Sequence, residues 1–325
     1  METLNIIESV NTTLDEAMAG DERVVVLGED VGVDGGVFRA TKGLIDEYGE
    51  ERVMDTPLDE AGIIGTSVGM AAAGLRPIPE IQFSGFIAQA FHQLKQHVAR
   101  MRTRTRGDIN LPMVIRAPYG GGIEALEHHS ESQEAIYARM GGLKVVIPST
   151  PTDTKALLHE AIEDPDPVLF LEPKQIYRAF REEVPDQPEA TIGEAAVRQE
   201  GDEITVVSWG AMMEVAQDAV KTVEEEDSVS AELIDLRTIN PLDEETIIDS
   251  VQDTGRLAII AEEPKLAGIS SELAALMAEE NLLHLQAPVK RITGFDVPFP
   301  LYQLEDDYMP DTRRAVKGIR EVMDF

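Results

Sequence analysis

The chain has 325 residues, with 61 Asp and Glu against 28 Lys and Arg, a formal net charge of −33 and a pI near 4.4. That balance argues against nucleic acid and anionic lipid as partners, and the absence of cysteine excludes disulfides, thiolate metal sites and thiol nucleophiles together. No apolar run approaches the ~18 residues of a membrane span, and the start Met1-Glu2-Thr3 lacks the basic and apolar regions of a secretory signal, so a cytoplasmic protein without membrane contact is expected.

Apolar spacing at Ile6, Ile7, Val10, Leu14 and Met18 predicts a helix over residues 5–19, closed by Gly20. Residues 23–28 read as a buried strand, followed by strands at 78–83, 112–116, 144–147 and 168–171. Helices are predicted between them at 61–73, 87–101, 132–140 and 152–163. Strands alternating with crossover-length helices predict a parallel sheet covered on both faces. The polar, Pro-rich stretch 181–188 marks a boundary, giving domains 1–185 and 186–325. Alternation then resumes, with strands at 203–209, 231–236, 257–261 and 289–293 and helices at 211–225, 243–251 and 270–279. The expected fold class is α/β, two three-layer α/β/α domains with mainly parallel sheets.

Acid is dispersed along the chain, with peaks at 224–227 and 305–307, and the basic residues are 9 Lys against 19 Arg. This is the pattern expected of a cytoplasm of high salt, where self-repulsion is screened over a few ångströms; an ordinary acidic protein is the plainer alternative. Arg100, Arg102, Arg104 and Arg106 form the one basic cluster in the sequence. Without interleaved aromatics it points to a helix C-terminus or a subunit interface rather than to nucleic acid.

Several signatures are missing: no GxGxxG, no GxxxxGK[ST], no HExxH and no His/Asp cluster with metal-ligand spacing. What the chain does carry is a series of distinctive blocks. They run from Gly28-Glu29-Asp30-Val31-Gly32 through Asp34-Gly35-Gly36-Val37-Phe38-Arg39-Ala40-Thr41 to Asp55-Thr56-Pro57-Leu58-Asp59-Glu60-Ala61. Pro79-Glu80-Ile81-Gln82-Phe83, Gly142-Leu143-Lys144-Val145-Val146-Ile147-Pro148, Asp235-Leu236-Arg237-Thr238-Ile239-Asn240-Pro241 and Gly294-Phe295-Asp296-Val297-Pro298-Phe299-Pro300 follow. In order and spacing they resemble the E1 component β subunits of pyruvate and branched-chain 2-oxoacid dehydrogenases, over essentially the whole chain. The resemblance implies a transketolase-like pyrimidine-binding domain followed by a transketolase C-terminal-like domain.

It also implies roles. Thiamine diphosphate must lose the C2 proton of its thiazolium ring, and a carboxylic acid on N1′ of the aminopyrimidine drives the 4′-amino group towards the imino form that takes it. By resemblance that acid is Glu60, with Glu29 as a second cofactor-binding residue and Phe86 packing on the pyrimidine. Locally, Thr56 as N-cap, Pro57 at N1 and Asp59 and Glu60 as first-turn acids make an ordinary helix start; for Phe86 the plainer alternative is core packing. Phe83 is set aside because strand alternation points it elsewhere. His129 falls at the family's active-site histidine, before a Ser130-Glu131-Ser132-Gln133 capping box whose helix dipole would hold the imidazole neutral. A solvated loop histidine is the alternative, expected of His128. Glu124 stands where some relatives carry another histidine.

Residues Ala161, Ile162, Asp164 and Asp166, with a carbonyl near Met113, resemble the family's structural potassium loop, Asp166 replacing the usual Asn; an acidic turn after a helix is the alternative. The Gly-Asp-Gly motif that binds the diphosphate through Mg²⁺ is absent, so the metal and diphosphate half is expected from an α subunit. The resemblance implies an α2β2 heterotetramer docked on a dihydrolipoyl acyltransferase core, with the acidic end 321–325 facing a basic binding domain. The implied reaction is oxidative decarboxylation of a 2-oxoacid with reductive acylation of lipoamide. A transketolase-like or deoxyxylulose-phosphate-synthase-like half, or a non-catalytic assembly module, are the rivals. Glu172-Pro173-Lys174 looks like branched-chain enzymes and Gly36-Val37-Phe38-Arg39-Ala40-Thr41 like pyruvate enzymes, leaving the 2-oxoacid open.

Overall fold

In the computed structural model, which describes residues 1–325, the first strand β1 (Glu2–Leu4) leads into a helix closed by its own cap. Asn5 accepts from Glu8 N at 2.9 Å and donates its own N–H to the Glu8 carboxylate at 3.0 Å, a reciprocal cap that starts α1 (Ile6–Gly20). Ile6, Val10, Leu14 and Met18 are at most 1% exposed, as their spacing predicts. Next come β2 (Val24–Gly28), α2 (Leu44–Tyr48), β3 (Val53–Asp55), α3 (Glu60–Ala72) and β4 (Arg76–Glu80). Short helices α4 (Phe91–Gln93) and α5 (Met101–Arg104) precede β5 (Val114–Tyr119) and α6 (Glu134–Ala138). The remaining elements before residue 192 are β6 (Lys144–Val146), α7 (Pro151–Glu163), β7 (Val168–Pro173) and β8 (Glu182–Val184).

The chain divides into two units, residues 1–119 with 136–192, and residues 120–135 with 193–325. In the first, parallel strands lie in the order β6-β7-β5-β4-β2-β3. β2 pairs with β3 on one side and with β4 on the other. The chain therefore leaves β2 towards one edge and resumes on the opposite side, creating the switch point beyond whose strand ends α/β sheets bind ligands. β8 pairs antiparallel with β1, Glu2 against Val184, which ties the polar stretch after residue 180 into this unit.

In the second unit β9 (Ala196–Gln199), β10 (Ile204–Ser208), α8 (Met212–Asp227), β11 (Ala231–Asp235) and β12 (Thr238–Asn240) come first. α9 (Glu244–Thr254), β13 (Leu257–Pro264), α10 (Ile269–Glu280), β14 (Lys290–Gly294), α11 (Glu305–Tyr308) and α12 (Thr312–Met323) complete it. The sheet runs β14-β13-β10-β11-β9, parallel except for β9.

Short strands such as β3, β9 and β12 were not predicted, and two helical regions depart more strongly from the sequence prediction. The helix expected over 87–101 is instead a 3₁₀ stretch (Ser84–Ala90), α4, a π turn (Leu94–Val98) and α5. The π turn closes with Ala99 N on Leu94 O at 3.0 Å and takes up one extra residue, which keeps Leu94 and Val98 buried. α12 was not predicted, because Arg313, Arg314, Lys317, Arg320 and Glu321 mask its apolar stripe; Ala315, Val316, Ile319 and Val322 are its buried face.

Candidate functional site

At the switch point of the first unit, Asp59 accepts from Gly62 N at 3.0 Å and caps α3, so Asp59 rather than Thr56 starts the helix and Glu60 is its first residue. Glu60 is 3% exposed, and its carboxylate has no hydrogen-bond or ion-pair partner within the chain. Glu29 follows directly on β2; burial first, then the charges of Glu60 and Asp30, push its carboxyl above the ordinary value. The loop after Glu29 is fixed from two sides. Asp55 accepts from Gly32 N at 2.6 Å and Val33 N at 3.1 Å, and Thr41 Oγ1 donates to Val31 O at 2.6 Å.

An aromatic wall stands at the same strand ends. The Phe38 and Phe83 rings meet edge-on at 5.6 Å, Phe83 and Phe86 edge-on at 5.9 Å, and Phe38 lies 5.2 Å from Tyr177. Phe83 thus belongs with Phe86, against expectation: β4 ends at Glu80, so strand alternation does not extend to Phe83. Beneath the wall lies a buried ionic network. Arg116 donates to Glu172 Oε1 at 2.6 Å and to Glu80 Oε2 at 2.9 Å, and Tyr177 donates to Glu172 Oε2 at 2.7 Å. Burial pushes the Glu80 carboxyl up against the opposing Arg116 charge, and pushes the Tyr177 phenol up as well. A carboxyl group without a protein partner, on a buried residue near half-buried phenyl faces, fits an aminopyrimidine, which offers a ring nitrogen to the one and a π face to the other.

His129 lies in the second unit's portion, on a 3₁₀ turn (Glu127–His129). The expected capping box does not form. Ser130 donates its hydroxyl back to Leu126 O at 3.2 Å, Gln133 turns to Glu131 at 2.6 Å, and α6 begins only at Glu134. The helix-dipole argument for a neutral His129 therefore does not apply; its ring packs 4.3 Å from that of His128 instead.

The residues expected to hold potassium are already engaged. The Met113 carbonyl accepts from Val168 N at 3.0 Å, and the Ile162 carbonyl from Arg76 at 2.5 Å. Asp164 is paired with Lys144, and Asp166 with Arg102. Ala161 is fully buried within α7. Both carboxylates are thus paired with protein cations, and each of the two carbonyls keeps a second acceptor lone pair. The Arg100–Arg106 cluster also disperses: Arg100 and Arg104 both donate to Gln96, and Arg102 turns to Asp166. A second basic group, invisible in the sequence, forms instead around a cavity of about 370 Å³ lined by Lys265, Lys290, Arg291, Arg314 and Lys317 with Glu321. Glu321, expected to face a partner, is paired with Lys290 and lies 3.8 Å from Lys317. The chain holds no group of three or more His, Cys, Asp or Glu that could bind a metal, and no helix long and apolar enough to cross a membrane.

Two family models match: the transketolase pyrimidine-binding domain over residues 2–179 and the transketolase C-terminal domain over residues 193–314. Over 323 residues the chain is 50% identical to the pyruvate dehydrogenase E1 component subunit beta of Acholeplasma laidlawii, covering 99% of this chain and 98% of the other. It is 46% identical to the 3-methyl-2-oxobutanoate dehydrogenase subunit beta of Mycobacterium tuberculosis, over 99% of this chain and 92% of that one. It is 45% identical to the 2-oxoisovalerate dehydrogenase subunit beta of Bacillus subtilis over the full length of both. Among solved structures, a split-gene transketolase described as an inactive beta4 tetramer superposes with a TM-score of 0.80 at 22% identity, covering 99% of each chain, a likeness of fold.

Proposed function

The chain belongs to the family of β subunits of the E1 components of 2-oxoacid dehydrogenases, and on that footing we propose that it supplies the pyrimidine-binding half of a thiamine-diphosphate site completed by an α subunit in an α2β2 heterotetramer. The overall reaction converts a 2-oxoacid and a lipoyl disulfide into CO₂ and an S-acyl dihydrolipoyl group. The bond to the carboxylate breaks, its electron pair reduces the S–S bond, one sulfur takes the acyl group and the other a proton. Thiamine diphosphate, when bound, supplies the nucleophilic carbon and holds those electrons.

The chain's own residues bind, orient and move protons. Glu60 would hold the aminopyrimidine ring nitrogen, and Phe86 would pack on the ring face. Glu29 retains its proton to higher pH than an ordinary carboxyl, which suits it to carry a proton beside Glu60. His129 would give or take the proton at the lipoyl sulfur. Mg²⁺ and the diphosphate are assigned to the α subunit, since this chain has no Gly-Asp-Gly motif. A dihydrolipoyl acyltransferase core is the proposed partner for the second unit, where Asp324 and Phe325 are exposed. We place the complex in the cytoplasm, and its substrate among the short 2-oxoacids, pyruvate or a branched-chain acid, that the names of its relatives carry.

The observation that carries this reading is the buried Glu60, whose carboxylate has no partner within the chain, at the switch point. In the reconstituted α/β complex, Glu60→Gln is expected to lower decarboxylation by about 10²–10⁴-fold with the fold intact by circular dichroism; undiminished turnover would overturn the assignment. Rates with pyruvate, 2-oxoisovalerate, 2-oxo-3-methylvalerate and 2-oxoglutarate identify the substrate.

A further inference from the structure

Residues 120–135 are encoded inside the first unit but belong by their contacts to the second. Two buried carboxylates fasten the start of this segment. Glu262, in β13 and 3% exposed, accepts from Gly121 N at 2.9 Å. Glu305, the first residue of α11 and 2% exposed, accepts through Oε1 from Gly122 N and from Ile123 N, the latter at 3.1 Å. Bonds from backbone N–H to an ionised carboxylate are about twice as strong as neutral ones. The turn is also sterically sealed: Gly120 and Gly122 have φ of +82° and +84°. A Cβ on Gly120 would lie 2.3 Å from Glu262, and one on Gly121 would lie 2.7 Å from the Phe299 ring. At the far end the fully buried Glu134 accepts from Trp209 Nε1 at 3.1 Å. The second unit thus grips residues 121–123 and 134, and the 3₁₀ turn with His129 spans the stretch between them.

Glu305 has a second feature that its burial alone does not explain. Its Oε2 is buried with no hydrogen-bond partner. Leaving a carboxylate oxygen unpaired costs free energy, and an apolar side chain would avoid that cost but would leave two amides of the turn without acceptors.

We infer that Glu262 and Glu305 are positioning residues for the acyl-transfer half of the reaction: they set the glycine turn 120–123, and through it the segment that presents His129. The second unit then has a task in the chemistry as well as in assembly. This inference rests on the proposed role of His129.

The test uses the α/β complex saturated with thiamine diphosphate and Mg²⁺, and two readouts: decarboxylation followed with an artificial electron acceptor, and acylation of free lipoamide. Glu305→Ala is expected to lower kcat for lipoamide acylation by about tenfold to a hundredfold, the effect of a misplacement near 1 Å, and to leave acceptor-linked decarboxylation within about twofold. Glu305→Gln keeps an oxygen acceptor for both amides and restores most of the acylation. Gly121→Ala, which displaces the turn against Phe299 with both carboxylates intact, reproduces the selective loss and serves should Glu305→Ala not fold. His129→Ala is the control for the underlying reading, and an unchanged acylation rate in it defeats the role of His129 itself. A selective loss in His129→Ala that neither Glu305→Ala nor Gly121→Ala shares overturns the positioning inference, as does an equal fall in both activities that Glu305→Gln fails to relieve.

Discussion

Glu60 and Glu29 show how much of the site single residues make legible. Glu60 was readable because it stands in a block of distinctive residues, while its isolation from any protein partner emerges only from the fold. Glu29 carries a pH signature. An acid whose folded pKa is raised binds more protons folded than unfolded between the two values; its contribution is full below the ordinary 4.5 and is lost as pH rises through the raised value. Glu29→Gln removes that loss. In urea unfolding measured from about pH 4 to about pH 7, the variant should gain on the parent as pH rises. A difference that stays flat across that range would mean that Glu29 is not held up by burial and by Glu60. Phe83 and the basic cavity were not legible. The first needed the end of β4, and the second is assembled from residues 265, 290, 291, 314 and 317, which no local pattern connects.

At the level of elements, periodicity placed most long helices and buried strands within about three residues, and missed short strands such as β3, β9 and β12. It failed where tertiary packing overrules local preference. The broken helix after Ser84 follows the need to keep Leu94 and Val98 inward. α12 hides its apolar stripe under charge, and the Ser130–Gln133 box is outcompeted by the 3₁₀ turn before it. β4, β5 and β7 are joined at their carboxyl ends by Arg116, which alone separates the buried Glu80 and Glu172. Arg116→Met leaves two buried carboxylates facing each other, and a loss of about 3–5 kcal/mol in urea unfolding is expected. A loss below about 1 kcal/mol, the range of an exposed ion pair, would show that the network does not hold these strands together.

For the molecule as a whole, −33 charges over 325 residues make self-repulsion a leading destabilising contribution at low ionic strength. Screening shortens the range of that repulsion from about 10 Å at 0.1 M salt to about 3 Å at 1 M. The thermal midpoint of the chain is therefore expected to rise with KCl between those concentrations, and a fall would remove the high-salt reading. The same scale holds the central claim, the proposal that one polypeptide carries half of an active site: a carboxyl group and an aromatic wall for a pyrimidine ring. Release of CO₂ from the 2-oxoacid, measured for this chain alone and then with its α subunit at saturating thiamine diphosphate and Mg²⁺, tests that claim most directly. The account predicts no release from the chain alone and steady turnover once the two are mixed; turnover by the isolated chain would contradict it.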